Sequence, residues 1–260
     1  MISSWIEGET MAGPRSASAW IRSFHPSPQA TTRIVCLPYA GGSAAYHFPL
    51  SRALSGVAKV LAVQYPGRQD RFDEAHVEDM ASLADRITDA LTPWTDRPLI
   101  LFGHSLGAAV AFEVALRLER QGVRPLGLVA SGRRAPSIAG DQRLHTSSDE
   151  EVVDELIGLN PAHAELLGDR ALWPLLLPTV RSDYKVSELY RSRDDARLAC
   201  PITALTGEDD PVVDVADVRD WDRHTSGDFT MRVYSGGHFF LDDHAEAVQA
   251  EITRYMAYAV

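Results

Sequence analysis

Cysteine is scarce in this sequence, and so is lysine. The 260 residues include two cysteines, Cys36 and Cys200. Each lies in or beside an apolar run, and we expect two unpaired thiols in a cytoplasmic protein. Only Lys59 and Lys185 are lysines, and acidic residues outnumber basic residues by 36 to 25. The resulting net charge of −11 argues against broad binding of nucleic acid.

Long hydrophobic runs are also missing. No apolar segment approaches the ~18 residues that a membrane-spanning helix needs. The opening stretch, MISSWIEGETMAGPRS, has neither the basic nor the apolar region of a signal peptide. We therefore expect no membrane association, and translation from either Met1 or Met11 fits this stretch.

Motifs for metals and nucleotide cofactors are absent from the sequence. It contains no H-x-x-x-H or C-x-x-C spacing, and no G-x-G-x-x-G or G-x-x-x-x-G-K-[ST] loop. We expect neither a metal nor a cofactor.

Short apolar runs alternate with helical patterns along most of the chain. Residues 1–30 show no periodic pattern, and helical patterns cover 78–91, 106–121 and 242–257. The apolar runs have the composition of strands that are covered on both faces: RIVCL (33–37), KVLAVQY (59–65), PLILF (98–102), PLGLVAS (125–131), PITALT (201–206) and FTMRVY (229–234). This alternation predicts an α/β fold with a mostly parallel, doubly wound sheet.

One connection is much longer than a single crossover helix requires. Between Ser131 and Pro201 the chain has its own helical patterns, one of which opens with a capping-box spacing of Ser147 and Glu150. We expect a helical cap at about 136–198, with a peripheral stabilising insertion as the alternative. The predicted organisation is a flexible extension, residues 1–20, followed by one domain, residues 21–260.

A serine stands between two glycines where a predicted strand becomes a predicted helix. The stretch LILFGHSLGAAVAFEVALRL places Ser105 in a G-x-S-x-G pentapeptide at that junction. A tight turn of this kind exposes the serine at the carboxyl end of the sheet, beside the positive end of a helix. The sequence predicts that Ser105 is a nucleophile and that the Leu106 N–H stabilises an oxyanion; a structural serine in a turn is the alternative.

A serine nucleophile needs a base, and the base needs an orienting acid. In this architecture they follow the serine in the order acid, then histidine. Only His238 follows a late predicted strand; His104 is expected to pack locally and His224 and His244 to lie on helix surfaces. Asp209 and Asp210 compete for the acid, and we favour Asp210 because Pro211 holds the preceding residue extended.

The second oxyanion donor is expected from the loop after an early strand. The segment VCLPYAGGSAAYHF supplies a strand, a proline and then Gly41-Gly42, whose small size admits a substrate close to the backbone. A flexible β-turn is the alternative interpretation.

Seven separated blocks of the sequence resemble the type II thioesterases, the stand-alone editing enzymes of polyketide and nonribosomal peptide synthases. The similarity runs from about Trp20 to the C-terminus, and its blocks are RIVCLPYAGGSA, VQYPGRQDR, RPLILFGHSLGAAVAFEVALRL, LVASGRRAP, LPTVRSDYKVSELY, PITALTGEDDPVV and YSGGHFFL. The resemblance implies an α/β-hydrolase fold with a helical cap. It also implies hydrolysis of acyl groups from the phosphopantetheine arm of acyl or peptidyl carrier proteins.

The resemblance assigns roles to individual residues. It makes Ser105 the nucleophile, His238 the base and Asp210 its orienting acid, and it takes the oxyanion-hole N–H groups from Ala40 and Leu106. Carrier proteins are themselves acidic, so docking requires a local basic patch, for which the candidates are Arg68, Arg71, Arg133, Arg134 and Arg181. A carboxylesterase or lipase, a synthase-derived releasing domain, and an inactive binding protein of the same fold are the alternatives.

Overall fold

A seven-stranded sheet forms the centre of the computed structural model, which describes residues 19–259. Most of the predicted extension, residues 1–20, and both candidate start methionines therefore lie outside the described residues. The strand order is β1-β3-β2-β4-β5-β6-β7. The strands are β1 (Ile21–Arg22), β2 (Arg33–Leu37), β3 (Lys59–Val63), β4 (Leu99–His104), β5 (Gly127–Ser131), β6 (Ile202–Gly207) and β7 (Phe229–Tyr234).

The sheet is parallel from β3 through β7, as predicted, and antiparallel only where β1 pairs with β3. The six predicted strands are present with ends that differ by at most two residues. Strand β1 was missed, since two residues are too few to show a period. In β1, Ile21 pairs with Val63 and Arg22 with Ala62.

Helices cover both faces of the sheet. The α-helices are α1 (Phe48–Ala53), α2 (Met80–Leu91), α3 (Leu106–Arg120), α4 (Asp149–Leu159), α5 (Ala164–Leu167), α6 (Trp173–Leu189), α7 (Val215–Arg219), α8 (Phe240–Asp243) and α9 (Ala245–Thr253). Short 3-10 turns occupy Ala44–His47, Gln69–Arg71, Thr92–Trp94, Leu144–Thr146, Pro161–His163, Arg170–Leu172, Asp220–His224 and Arg254–Tyr258. Within residues 19–259, no helix combines the length and apolar character needed to cross a bilayer.

Strand β4 shows why both faces need cover. Leu99 and Leu101 pack into one core with α2 and α3, whereas Ile100 and Phe102 pack into a second core with α8 and α9. All four side chains are at most 2% exposed. A continuous apolar run is thus the signature of a strand with two buried faces.

Two of the predicted helical patterns match single helices, α2 and α3. The third, residues 242–257, is divided among α8, α9 and a terminal 3-10 turn. The expectation that His224 lies on the surface was wrong: its side chain is buried, with Nε2 2.8 Å from Ser137 Oγ and Nδ1 2.8 Å from the Ala196 carbonyl oxygen. Both cysteines are buried free thiols.

The long connection between β5 and β6 contains α4, α5 and α6, which share a third apolar cluster of their own. Its buried members are Val152, Val153, Leu156, Leu167, Leu177, Val180 and Tyr184. The capping box at its first helix is shifted by one residue from the prediction. Ser148 Oγ accepts the Glu151 N–H at 3.2 Å and a Glu151 carboxylate oxygen accepts the Ser148 N–H at 2.8 Å.

Replacing Ser148 tests this cap. We expect Ser148→Ala to lower the free energy of unfolding by about 1 kcal/mol, because the first turn of α4 loses an acceptor for its free N–H groups. The matched control is Ser147→Ala, for which we expect a smaller loss. Urea denaturation followed by circular dichroism measures both, and a larger loss for Ser147→Ala contradicts the assignment.

Candidate active site

Three side chains of the predicted site lie beyond the carboxyl ends of parallel strands. Ser105 directly follows β4, Asp210 follows β6, and His238 follows β7. Strands β6 and β7 are neighbours in the sheet, and β4 is separated from β6 by β5 alone. The topology therefore brings all three loops to one edge, where ligands bind in open α/β sheets.

The turn at Ser105 is strained and very tight. Ser105 has φ 53° and ψ −118°, and its N–H donates to the Ser131 carbonyl oxygen at 2.8 Å. A Cβ at Gly103 would lie 2.0 Å from the Gly107 oxygen, and a Cβ at Gly107 would lie 2.1 Å from the Leu37 oxygen. Both glycines are therefore required by the approach of helix α3 to the sheet, and the strain falls on the serine, as at the nucleophile of a hydrolase elbow.

His238 is held by Asp210. Its Nδ1 lies 2.8 Å from Asp210 Oδ2, and the two side chains are 5% and 0% exposed. The other carboxylate oxygen, Oδ1, accepts the Val212 N–H at 3.0 Å, which fixes the carboxylate plane. Of the two aspartates that compete in the sequence, Asp210 is the one bonded to His238, and Asp209 is exposed.

Ser105 and His238 line the same cavity. In the part of the chain that the structure describes, the Ser105 hydroxyl makes no hydrogen bond with His238. In hydrolases without substrate this contact is often long, and it shortens in the reacting complex.

Two backbone N–H groups near Ser105 are available as donors. Leu106 begins helix α3, and Ala40 lines the cavity together with Ser105 and His238. Among residues 19–259, neither of these N–H groups donates to another group. Both N–H groups can therefore donate to an oxygen of a bound substrate.

His104 adds a buried, neutral ring to the site. Its Nδ1 lies 3.0 Å from Ser131 Oγ, and its ring centroid is 4.9 Å from that of His238. Burial, followed by the nearby charge of His238, holds the pKa of His104 well below its usual range. The prediction that His104 packs locally is confirmed, and His104 adds no positive charge beside His238.

The helical insertion forms a large part of the cavity wall. The sequence predicts a cap here but none of its wall residues, because the insertion side chains reach the cavity through tertiary packing and carry no local motif. The wall residues from the insertion are Gln142, Glu155, Leu156, Leu159, His163, Tyr184 and Ser187. Tyr39 and Phe239 also line the cavity, and their ring centroids are 4.9 Å apart.

Arg133 and Arg134 both line the cavity. The Arg133 guanidinium donates to Ser187 Oγ at 2.6 Å and to the Ser187 carbonyl oxygen at 2.9 Å. Burial and then the charge of Arg134 lower the pKa of Arg133 to about 10. No group of three His, Cys, Asp or Glu side chains in the described ranges is arranged to hold a metal ion.

The predicted basic docking patch needs correction. Arg68 and Arg71 are 7% and 6% exposed and bind Asp183 and Glu74, so the expectation that they meet a partner surface was wrong. Arg133 faces the cavity, and Arg134 donates to the Val212 carbonyl oxygen at 2.6 Å. Arg181 pairs with Asp149 at the surface of the insertion.

The thioesterase domain model matches residues 32–255, which include the whole of this site. The chain belongs to the thioesterase family. It is 48% identical over 239 residues to thioesterase PikA5 of Streptomyces venezuelae. That alignment covers 91% of this chain and 85% of PikA5. It is 47% identical to a probable cadicidin biosynthesis thioesterase of Streptomyces griseus, covering 92% of this chain and 66%, just under two thirds, of the relative.

Solved structures of thioesterases share the fold. The type II thioesterase BorB from the borrelidin biosynthetic cluster superposes with a TM-score of 0.82 at 42% identity, covering 91% of this chain and 96% of BorB. YbtT, a type II thioesterase from the yersiniabactin pathway, superposes with a TM-score of 0.84 at 28% identity, covering 92% of this chain and 99% of YbtT. The predicted family and fold are confirmed, and so, at the level of the family, is an enzyme that hydrolyses thioesters.

We expect the stability of this thioesterase to depend on pH in part through the buried His104. As the pH falls below 6.5, the unfolded chain binds a proton at His104 more readily than the folded chain, because burial disfavours the charged ring. The free energy of unfolding therefore falls with pH, by at most about 1.4 kcal/mol per pH unit for this group. We expect His104→Gln, which keeps a hydrogen-bonding side chain, to reduce the slope of the unfolding free energy against pH just below pH 6.5. Denaturation at several pH values measures it, and an unchanged slope contradicts the neutral state.

Proposed function

We propose that the chain hydrolyses acyl thioesters on the phosphopantetheine arm of an acyl or peptidyl carrier protein. The hydrogen bond between His238 Nδ1 and Asp210 Oδ2, in a cavity shared with Ser105, carries the proposal. It leaves Nε2 of His238 as the nitrogen that exchanges a proton with the serine. The roles given below to individual residues belong to the same proposal.

The first half-reaction acylates the serine. His238 Nε2 takes the proton of Ser105 Oγ, and the oxygen attacks the thioester carbonyl carbon. Asp210 stabilises the imidazolium that forms. The N–H groups of Ala40 and Leu106 donate to the carbonyl oxygen as it becomes negative. Collapse of the tetrahedral intermediate breaks the carbon–sulfur bond, the proton on His238 Nε2 passes to the departing sulfur, and the pantetheine thiol is released.

The second half-reaction returns the enzyme to its starting state. His238 takes a proton from a water molecule, which attacks the acyl-serine carbonyl, and then returns a proton to Ser105 Oγ. The product is a free carboxylic acid. A thiolate is a better leaving group than an amine. Protonation of the leaving group by His238 therefore contributes less to thiol release than it would to amine release in peptide hydrolysis.

The insertion at residues 136–198 acts as a cap over the acyl chain in this proposal. Leu156 and Leu159 present apolar side chains to the cavity, and Tyr184 and Ser187 extend its wall from helix α6. An apolar wall favours the aliphatic part of an acyl group over water.

The biological role proposed is the removal of unwanted acyl groups during polyketide or nonribosomal peptide synthesis. Support comes from relatives named for such pathways, among them BorB and YbtT. A location in the cytoplasm stays a prediction. So does an electrostatic contribution to docking, since the net charge of −11 disfavours an acidic carrier unless a local patch offsets it.

Removal of the nucleophile tests the reaction. We expect Ser105→Ala to lower kcat for an acyl carrier protein thioester by about 10⁴-fold or more, with the fold unchanged. Near wild-type turnover by the variant overturns the proposal. Comparing kcat/KM on an acyl carrier protein, an acyl-pantetheine mimic and an aryl ester separates a carrier-directed enzyme from a general esterase, which favours the aryl ester.

The two neighbouring aspartates provide a matched pair of variants. We expect Asp210→Asn to lower kcat by about 10³- to 10⁴-fold, because an amide does not stabilise the imidazolium of His238. Asp209→Asn changes an exposed carboxylate, and we expect less than a threefold effect. Steady-state hydrolysis at pH 7.5 measures both, and similar losses in the two variants contradict the assignment of Asp210.

A further inference from the structure

The loop that carries Ala40 is held from two sides by buried polar groups. On one side, the Ala44 N–H donates to Gln64 Oε1 at 2.7 Å, and the Tyr65 hydroxyl donates to the Pro38 carbonyl oxygen at 3.2 Å. These contacts tie the two ends of the loop, which follows β2, to the segment that follows β3.

The centre of the loop is held by Asp183, which lies on helix α6 of the insertion. Asp183 Oδ2 accepts the Gly41 N–H at 2.8 Å. The same carboxylate forms a two-point ion pair with Arg68, with Nη1 to Oδ2 at 2.6 Å and Nη2 to Oδ1 at 2.8 Å. Arg68 Nη1 also donates to the Gly42 carbonyl oxygen at 2.9 Å.

Both charged side chains are almost fully buried. The Arg68 and Asp183 side chains are 7% and 5% exposed. Burial alone would lower the pKa of Arg68, but the charge and hydrogen bonds of Asp183 outweigh burial and raise it. An ion pair of this kind costs so much desolvation that it contributes little net stability over an apolar pair. Its two-point geometry and its backbone contacts indicate a positioning role.

These contacts hold the turn directly after the peptide group that carries the Ala40 N–H. Gly41 has φ 78°, and a Cβ there would lie 3.1 Å from Val180 of α6. The peptide group that carries the Ala40 N–H begins at the Tyr39 carbonyl, whose oxygen accepts the Gly42 N–H at 2.9 Å. Asp183 and Arg68 hold this turn through the Gly41 N–H and the Gly42 carbonyl oxygen. Rotation of the peptide group is therefore restrained. An oxyanion donor is effective only when it is already aimed at the developing charge.

We propose that Asp183, oriented by Arg68, is a positioning residue that aims the Ala40 N–H at the oxyanion. The inference rests on the proposed function. Since Asp183 belongs to the insertion, the insertion completes the oxyanion hole in addition to covering the acyl chain. A second contact supports this link: Thr179 Oγ1 of α6 donates to the Gly67 carbonyl oxygen, beside Arg68, at 2.7 Å.

Two variants test the role of Asp183. Asp183→Asn keeps an acceptor for Gly41 but leaves the buried Arg68 without a counter-charge. The double variant Arg68→Met/Asp183→Leu removes both charges together and so stays folded, but it loses both loop contacts. For each folded variant we expect kcat for thioester hydrolysis to fall 10- to 100-fold while KM changes less than threefold.

A transition-state mimic separates positioning from stability. An alkyl boronic acid forms a tetrahedral adduct with a serine, and we expect its Ki to rise by the same factor by which kcat/KM falls. In a Ser105→Ala background, we expect the Kd for the acyl-thioester substrate to be the same with and without the double substitution.

The control is Glu119→Gln. The Glu119 carboxylate also accepts backbone N–H groups, those of Ala199 and Cys200 at 2.7–3.0 Å, but at the opposite end of the sheet. We expect this variant to lose stability with kcat unchanged. Wild-type kcat and boronate affinity in the folded double variant overturn the inference, whereas turnover by Ser105→Ala overturns the proposed function itself.

Discussion

Helix α3 lies so close to β2 and β4 that no side chain fits between them. Gly103 and Gly107 face backbone oxygens at distances that exclude even a methyl group. The contact fixes three things at once: the helix N-terminus, the strained Ser105, and the end of β2, from which the loop with Ala40 departs. The rest of the candidate site is assembled around this one close approach.

The central sheet and the segments around it contribute different parts of the site. The sheet, buried on both faces, sets where Ser105, Asp210 and His238 emerge. The insertion contributes the cavity wall and, through Asp183, a contact with the loop after β2. Functional groups on loops of a fixed scaffold can change without disturbing the core, whereas the elbow is bound to the core by close packing.

The sequence predicts the parts of this molecule that local patterns encode. Six strands and helices α2 and α3 were found because each buries a continuous run or a stripe. The capping box was misplaced by one residue, because Ser147 with Glu150 and Ser148 with Glu151 have the same spacing. The pair of Arg68 and Asp183 was missed because 115 positions separate its members, although each lies in a block that resembles the family.

The insertion has an apolar interior of its own, separate from the two cores that flank the sheet. Such a module can accept sequence changes inside its interior while the hydrolase core keeps its packing. Exchange of this segment between relatives is therefore a route to altered acyl preference. An exchanged segment must still supply a carboxylate at position 183, because its ion-pair partner, Arg68, lies outside the segment.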